Sequence, residues 1–355
     1  MNLQCWCYEK SEIHLPSRIG ASVIGRYNIQ MNEPRNTFKP LWWLLGAHSE
    51  TVYAKLRQPP LPDYRRELHL DSSGQTQVAY DFIDAGDTHA PLVVLFTGLE
   101  GSSSSHYARA LMEAVQKRGW HGVVAHYRGC GGVENTAPLT YHAGDSHEVA
   151  FVLAELAKQY HTIYAVGVSL GGNMLARYLG EQKNAVLPCA AAVLSAPLDL
   201  AVSAESINSS LIASALYNPY FMRPMCQKAR AVATRFPELG LDRELHCKTL
   251  PEFDAAVTVP LYGFNDVADY YARCSALSVL PQITVPTLIL NAKNDPFLAA
   301  SALPDQAQVS DAVALCQPDH GGHIGFVSGR GLGHIDWVPE TVLTFFNKIQ
   351  RNMDE

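Results

Sequence analysis

The sequence predicts an α/β fold built on a mostly parallel sheet with helices on both faces. Short, nearly uninterrupted apolar runs rich in Val, Ile, Leu and Ala recur between residues 92 and 316, as in strands buried on both sides. Helix-length stretches separate most of them, long enough for the crossovers that parallel neighbours require. Apolar residues make up 47% of the 355-residue chain and charged residues 17%, which supplies a large core and excludes global disorder.

Residues 1–38 show no sustained period and mix Gly, Pro, Asn and Arg, so they read as an N-terminal arm, with Met31 a second candidate start. One α/β domain is expected over residues 39–350. The run Leu41-Trp42-Trp43-Leu44-Leu45, within Pro40 to Leu56, is apolar enough to pack on the domain surface; a membrane face or a substrate entrance are its other uses. Arg66 to Leu70 and Gln77 to Ile83 form two strands around the turn Asp71-Ser72-Ser73-Gly74, too short for a crossover, so an antiparallel edge is expected there. Strands then follow at Leu92–Phe96, Gly122–His126, Ile163–Val168, Ala190–Ser195, Thr287–Asn291 and Val313–Cys316. Helices are expected at Tyr107–Lys117, Asp145–Tyr160, Gly171–Leu179 and Val338–Ile349. Residues 199–281, rich in helix formers and carrying Tyr217, Tyr220, Phe221 and Met222, interrupt two core strands. Such an insertion sits above the carboxyl ends of the strands, where open sheets bind ligands, and is expected to act as a cap.

Lys and Arg number 27 against 34 Asp and Glu, a formal charge of −7, with no basic block, so nucleic acid is not expected as a partner. The eight cysteines are scattered. Cys5 and Cys7 have no matching pair downstream, so no metal site is expected, and Cys189 and Cys316 read as small core residues. The start of the chain lacks the basic end and apolar run of a signal peptide, and no stretch nears eighteen uninterrupted apolar residues. A reducing, cytoplasmic setting without a transmembrane segment is the expectation.

Gly167-Val168-Ser169-Leu170-Gly171 matches G-x-S-x-G and falls between an expected strand and an expected helix. A serine on so tight a turn exposes its hydroxyl, and the helix beginning beneath it offers free N–H groups to developing negative charge. Ser169 is therefore the candidate nucleophile, with Gly167 and Gly171 avoiding side-chain clashes around it.

A serine needs a base, and in this strand-turn-helix context the acid and histidine follow it in the chain. Asp295 stands in the loop after the strand Thr287–Asn291; Asp199, also after a strand, is its rival as the orienting acid. His323 lies in Asp319-His320-Gly321-Gly322-His323, where the glycines free the backbone to bring the imidazole over Ser169. His320 reads as a loop-bonded neighbour and His334 as the weaker alternative base.

Acyl transfer also needs donors for an oxyanion. The glycine-flanked Gly98-Leu99-Glu100-Gly101 supplies one N–H from Leu99, and Leu170, after the nucleophile, supplies the other. Gly98 supports that loop, which lacks the third glycine of a dinucleotide fingerprint, so a dinucleotide role is not expected there. Arg128 reads as a loop-fixing residue pairing with Asp145 or Glu134, with an anionic substrate the other option, and Cys130 has no elbow around it.

The segments TGLEGSSSSHYARAL, QKRGWHGVVAHYRGCGG, GVSLGGNMLARYLGE, YYARCSAL, PTLILNAKNDPF and HGGHIGF, in this order, resemble the YheT/EMB8-like branch of the α/β-hydrolases. The resemblance spans roughly residues 40–350. It implies the α/β-hydrolase fold, a triad of Ser169, Asp295 and His323, oxyanion donors at Leu99 and Leu170, no cofactor, and hydrolysis of carboxylic esters, some lipid-like. The family often has histidine where this chain has Thr97, which leaves the backbone donors in place but changes local loop bonding. A small-molecule ester is the expected partner, with peripheral membrane contact a further possibility. An acyltransferase using the same residues and a non-catalytic acyl-ligand-binding protein are the alternatives.

Overall fold

The computed structural model describes residues 38–208 and 211–354. The expected arm up to residue 37, Met31, Cys5 and Cys7 lie outside the described residues. Phe38 is buried between Phe326 and Trp337, at ring distances of 5.2 and 5.1 Å, so packed structure includes the last residue assigned to the arm.

Among the described residues eight strands form one sheet in the order β1-β2-β4-β3-β5-β6-β7-β8. They are β1 (Arg65–Leu70), β2 (Gln77–Ile83), β3 (Leu92–Phe96), β4 (His121–Ala125), β5 (Ile163–Val168), β6 (Ala190–Leu194), β7 (Thr287–Leu290) and β8 (Val313–Cys316). β2 pairs antiparallel with both β1 and β4, and every other pairing is parallel. The expected antiparallel edge and parallel body are both present. β4 lies one residue earlier than expected, and beyond its end the His126 N–H still donates to Ala79 O of β2 at 3.1 Å.

Period-two alternation divides the central strands between two cores. Leu92, Val94 and Phe96 of β3 and Ile163 and Ala165 of β5 enter one, while Val93, Leu95, Tyr164, Val166 and Val168 enter the other. Because both faces are covered, the strands read as continuous apolar runs. The first core lies under helices α3 (Ser146–Leu156) and α4 (Leu170–Gln182), and the second under α2 (His106–Lys117) and α10 (Trp337–Asp354). Asp145, expected inside α3, is instead its N-cap, accepting from the Glu148 N–H at 3.2 Å.

Helix α1 (Ala47–Ala54) belongs to the apolar segment near the amino end. Leu41 and Leu44 of that segment are buried, while Trp42 and Leu45 point to solvent. Between β6 and β7 the chain forms α5 (Leu200–Asn208), α6 (Leu211–Arg235), α7 (Leu250–Phe253), α8 (Val259–Tyr262) and α9 (Val267–Cys274). A π turn, Asp254–Thr258, joins α7 to α8. Cys189 and Cys316, expected in the core, stand only half-buried at its edge because they lie at strand ends.

The chain moves from β3 outward to β4 and then returns across β3 to β5, so the order reverses between β3 and β5. A crevice opens at such a reversal, at the carboxyl ends of the strands. Leu99 follows β3 and Ser169 follows β5, which places both at that crevice.

Candidate active site

Ser169, between β5 and α4, takes a conformation, φ 53° and ψ −121°, that a non-glycine residue seldom adopts. Its N–H donates to Leu194 O at 2.8 Å, and its carbonyl accepts from the Gly172 and Asn173 N–H groups at 2.9 and 3.1 Å. The turn is thus held by neighbouring strand and following helix together. Its tightness explains the glycines. A Cβ on Gly171 would stand 2.4 Å from Thr97 O and 2.5 Å from Phe96 O, and one on Gly167 would stand 2.5 Å from Gly171 O. One on Gly98 would press on Ser169 Cβ at 3.1 Å.

His323 reaches Ser169 and Asp295 at once. Its Nε2 is 2.9 Å from Ser169 Oγ and its Nδ1 is 2.8 Å from Asp295 Oδ2. An ionised carboxylate only accepts hydrogen bonds, so Nδ1 carries the proton and Nε2 is left to accept from the serine hydroxyl. Asp295 is buried, and its other oxygen accepts from the Phe297 N–H at 2.8 Å. The Phe297 ring packs 4.2 Å from the imidazole. Asp199, the rival acid, spends its carboxylate on the Val202 N–H at the start of α5. His334 pairs with Asp336 at the surface, and His320, its side chain half-exposed, bonds Glu50 at 3.1 Å.

The histidine loop is fastened by α1, a role not legible in the sequence. Thr51 Oγ1 accepts from the His323 N–H at 2.9 Å, and buried Glu50 accepts from the Gly321 N–H at 2.7 Å and from Asn294 at 2.9 Å. Ser195 Oγ accepts from the next amide, Ile324, at 3.1 Å.

The Leu99 loop is braced as closely. The Gly98 N–H donates to the Tyr107 hydroxyl and the Glu100 N–H to the Tyr141 hydroxyl, both at 3.0 Å. Tyr141 in turn donates to Glu100 Oε1 at 2.8 Å, and Lys228 of α6 pairs with Glu100 Oε2 at 2.6 Å. Between these engaged amides, no hydrogen bond takes the Leu99 N–H among the described residues. The Leu170 N–H, first of α4, likewise has no intrahelical acceptor. Two unengaged donors beside a serine hydroxyl are what an oxyanion would need. Thr97 Oγ1 is buried without a partner among the described residues, so threonine here contributes packing to the loop.

Arg128 takes the loop-fixing role, with a partial correction to its partners. It binds Asp145 at 3.0 Å, Glu148 at 2.7 Å and Asp71, all out of solvent, whereas Glu134 pairs with Arg235 of α6. With its donors committed to three carboxylates, Arg128 does not face the cavity. Cys130 is buried 3.3 Å from Lys228 Nζ, and burial raises its thiol pKa, against nucleophilic use.

Ser169, Leu99, Leu170 and His323 all border one cavity of about 790 Å³, its open mouth included. Leu200, Ala204, Ile207, Phe221 and Phe253, from the helices between β6 and β7, make its wall largely apolar. His142 also lines it; burial lowers its pKa to about 4, so it stands neutral among Tyr262, Phe264 and Tyr270. Among the described residues Asp254 is the one carboxylate in the lining, a position that the sequence marks only as an acidic residue in the helical run Glu252-Phe253-Asp254-Ala255-Ala256-Val257. Among the described residues no group of three or more His, Cys, Asp or Glu could hold a metal, and no helix is long and apolar enough to cross a membrane.

Comparison with known proteins agrees with this architecture. A family model described as the alpha/beta hydrolase fold matches residues 91–231. The chain is 34% identical over 319 residues to the provisionally named esterase YheT of Escherichia coli (strain K12), covering 87% of this chain and 93% of that protein. It is 28% identical to phospholipase ABHD3 of Mus musculus, covering 91% of this chain and 82% of the relative. Among solved structures, that of Est1E from Butyrivibrio proteoclasticus with ferulic acid bound is similar, with a TM-score of 0.51 at 14% identity. It covers 82% of this chain and all of Est1E, and at that identity the likeness speaks to the fold alone.

Proposed function

The chain belongs to the YheT/EMB8-like branch of the α/β-hydrolase superfamily and is a hydrolase of the esterase and lipase type, and on that premise we propose that it cleaves carboxylic esters through an acyl-enzyme formed on Ser169. The observation that carries the proposal is the hydrogen-bonded line from Asp295 through His323 to Ser169, at 2.8 and 2.9 Å. His323 Nε2 takes the hydroxyl proton as Ser169 Oγ attacks the ester carbonyl carbon. The carbonyl oxygen becomes an oxyanion, and the N–H groups of Leu99 and Leu170 donate to it. When the intermediate collapses, the carbon–oxygen bond to the alcohol breaks, and the imidazolium returns its proton to the departing alkoxide. Water then attacks the acyl-enzyme with His323 as base, releasing the acid and restoring Ser169. Asp295 stays ionised throughout and holds the productive tautomer.

In this proposal residues 39–350 form one catalytic domain, and residues 199–281 cap its site. Gly98, Gly167 and Gly171 act by letting the serine turn and the Leu99 loop approach each other. The apolar wall suits small to medium acyl chains or lipid-like esters. Relatives named for action on lipid esters, a phospholipase and a monoacylglycerol lipase, support the same substrate class.

The test is hydrolysis of p-nitrophenyl esters from acetate to palmitate by the wild type, Ser169→Ala and His323→Ala. Turnover by the wild type with a fall of about 10⁴-fold or more in both variants is expected. The chain-length optimum would then size the cavity. No turnover of any ester, together with no fluorophosphonate labelling of Ser169, would remove the proposal.

A further inference from the structure

Asp254 lines the same cavity as Ser169, but from the helical segment between β6 and β7. It opens the π turn that joins α7 to α8, where the widened helix breaks the regular spacing of side chains. Thr258, one turn on, donates its hydroxyl to Asp254 Oδ1 at 2.7 Å, and Tyr271 of α9 donates to Oδ2 at 2.8 Å. Both donors line the cavity themselves. The carboxyl group is therefore oriented from two sides and buried, yet among the described residues no Lys or Arg pairs with it. Burial accordingly raises its pKa to about 6.

A carboxylate offers about four acceptor positions, and two are filled here. Among the described residues no third donor bonds the carboxyl group, and Leu250, Phe253 and Phe221 of the cavity lining carry none. A buried acidic group in an apolar wall costs stability, and an apolar side chain would fill the place without that cost. The cost is offset when a ligand brings a donor. The reacting carbonyl is engaged by Ser169, Leu99 and Leu170, so that donor belongs to another part of the substrate.

We infer that Asp254, oriented by Tyr271 and Thr258, is a specificity residue that binds a hydrogen-bond donor, a hydroxyl or an ammonium group, carried on the ester away from its carbonyl. The inference rests on the proposal that Ser169 acts on esters, and it narrows the substrate to esters with a polar, donor-bearing end and an apolar remainder. It also explains why a largely apolar wall holds, among the described residues, one acidic group between two hydroxyl donors.

The experiment uses two series of methyl and alkyl esters, followed by acid release. One series carries the donor on the acyl chain, the other on the alcohol. Each compares a plain ester with its hydroxyl-bearing and ammonium-bearing analogues of equal length, for the wild type, Asp254→Asn and Asp254→Leu. The expected result is that in one series the wild type favours a donor-bearing ester over the plain one by about ten-fold or more in kcat/KM. Asp254→Leu then loses that preference, so that its kcat/KM values for plain and donor-bearing esters become equal. Asp254→Asn loses any ammonium preference and keeps part of a hydroxyl preference, since an amide oxygen still accepts. Fluorophosphonate labelling of Ser169 shows that each variant retains a formed site, and the two variants guard against one failing to fold. Equal rates for plain and donor-bearing esters in the wild type would overturn the inference. So would an Asp254→Leu variant that slows plain and donor-bearing esters alike. Absence of turnover for every ester, with Ser169 unlabelled, is a different result, because it removes the ester proposal itself.

Discussion

At the scale of single residues, the position of one proton decides what His323 can do. Asp295 can only accept, which leaves the Nδ1–H pointing at it and the Nε2 lone pair pointing at Ser169. An asparagine at position 295 keeps the shape but can present an N–H to Nδ1. That places the ring proton on Nε2, where it can no longer accept from serine. Asp295→Asn is therefore expected to lower kcat by about 10⁴-fold, as in comparable triads, and to change the denaturant midpoint little. Steady-state kinetics beside urea unfolding reads both quantities. A variant that loses stability in proportion to activity would show that Asp295 acts mainly through packing. The serine turn itself was legible, since G-x-S-x-G between a strand and a helix states its own geometry. Chain order alone did not choose between Asp295 and Asp199, because both follow a strand and both stand between Ser169 and His323; the apolar strand before Asp295 and the position of Asp199 ahead of the insertion were the signals that favoured Asp295.

Among the elements, α1 carries the largest difference between what the sequence suggested and what the fold uses. The segment around Trp42 and Trp43 reads as apolar packing, and Leu41 and Leu44 do pack. Yet its polar residues Glu50 and Thr51 hold the histidine loop across more than 270 residues of chain. Thr51→Val keeps the volume and removes the acceptor for the His323 N–H. An unsatisfied buried amide costs about 1–3 kcal/mol, and the loosened loop should lower kcat several-fold with KM little changed. Unfolding curves and substrate-saturation kinetics on the same preparation test this. Unchanged values in both would show that the loop is set by Glu50 and Ser195 without Thr51.

For the whole molecule, burial of imidazoles makes stability depend on pH. His106 and His142 are both lowered to about 4 because burial opposes their charged form. Their stabilising contribution is fully present above the unfolded value of 6.5 and is lost as pH falls toward 4, because the unfolded chain takes up the protons first. Asp71, Asp81 and Asp145, held below the ordinary carboxylate range despite the upward pull of burial, by Arg128 and Arg66 among other partners, add to the loss under acid. Asp254 works in the opposite direction. Its value of about 6 lies above the ordinary 3.8, so its contribution is present at low pH and lost as pH rises through 6. The urea midpoint of the wild type should therefore fall between pH 6.5 and 4. Relative to wild type, Asp254→Asn should gain on the order of 1–3 kcal/mol between pH 4 and 7. A difference between the two proteins that does not change with pH would show that Asp254 titrates normally.

The sequence by itself determined the sheet, its antiparallel edge and the tight turn at Ser169, and it marked Asp295 and His323 as candidates. These follow from local causes: apolar period, turn chemistry and the steric demands of glycine act over a few residues and leave their mark there. Only the tertiary structure decided that Arg128 joins Asp71, Asp145 and Glu148 and leaves Glu134 to Arg235, that α1 fastens the histidine loop, and that Asp254 faces the cavity. Each of these joins residues far apart in the chain through donors and acceptors whose pairing depends on how whole elements pack. A carboxylate has the same local signature whether it meets solvent, an arginine or a substrate, and its partner is chosen only when the layers close.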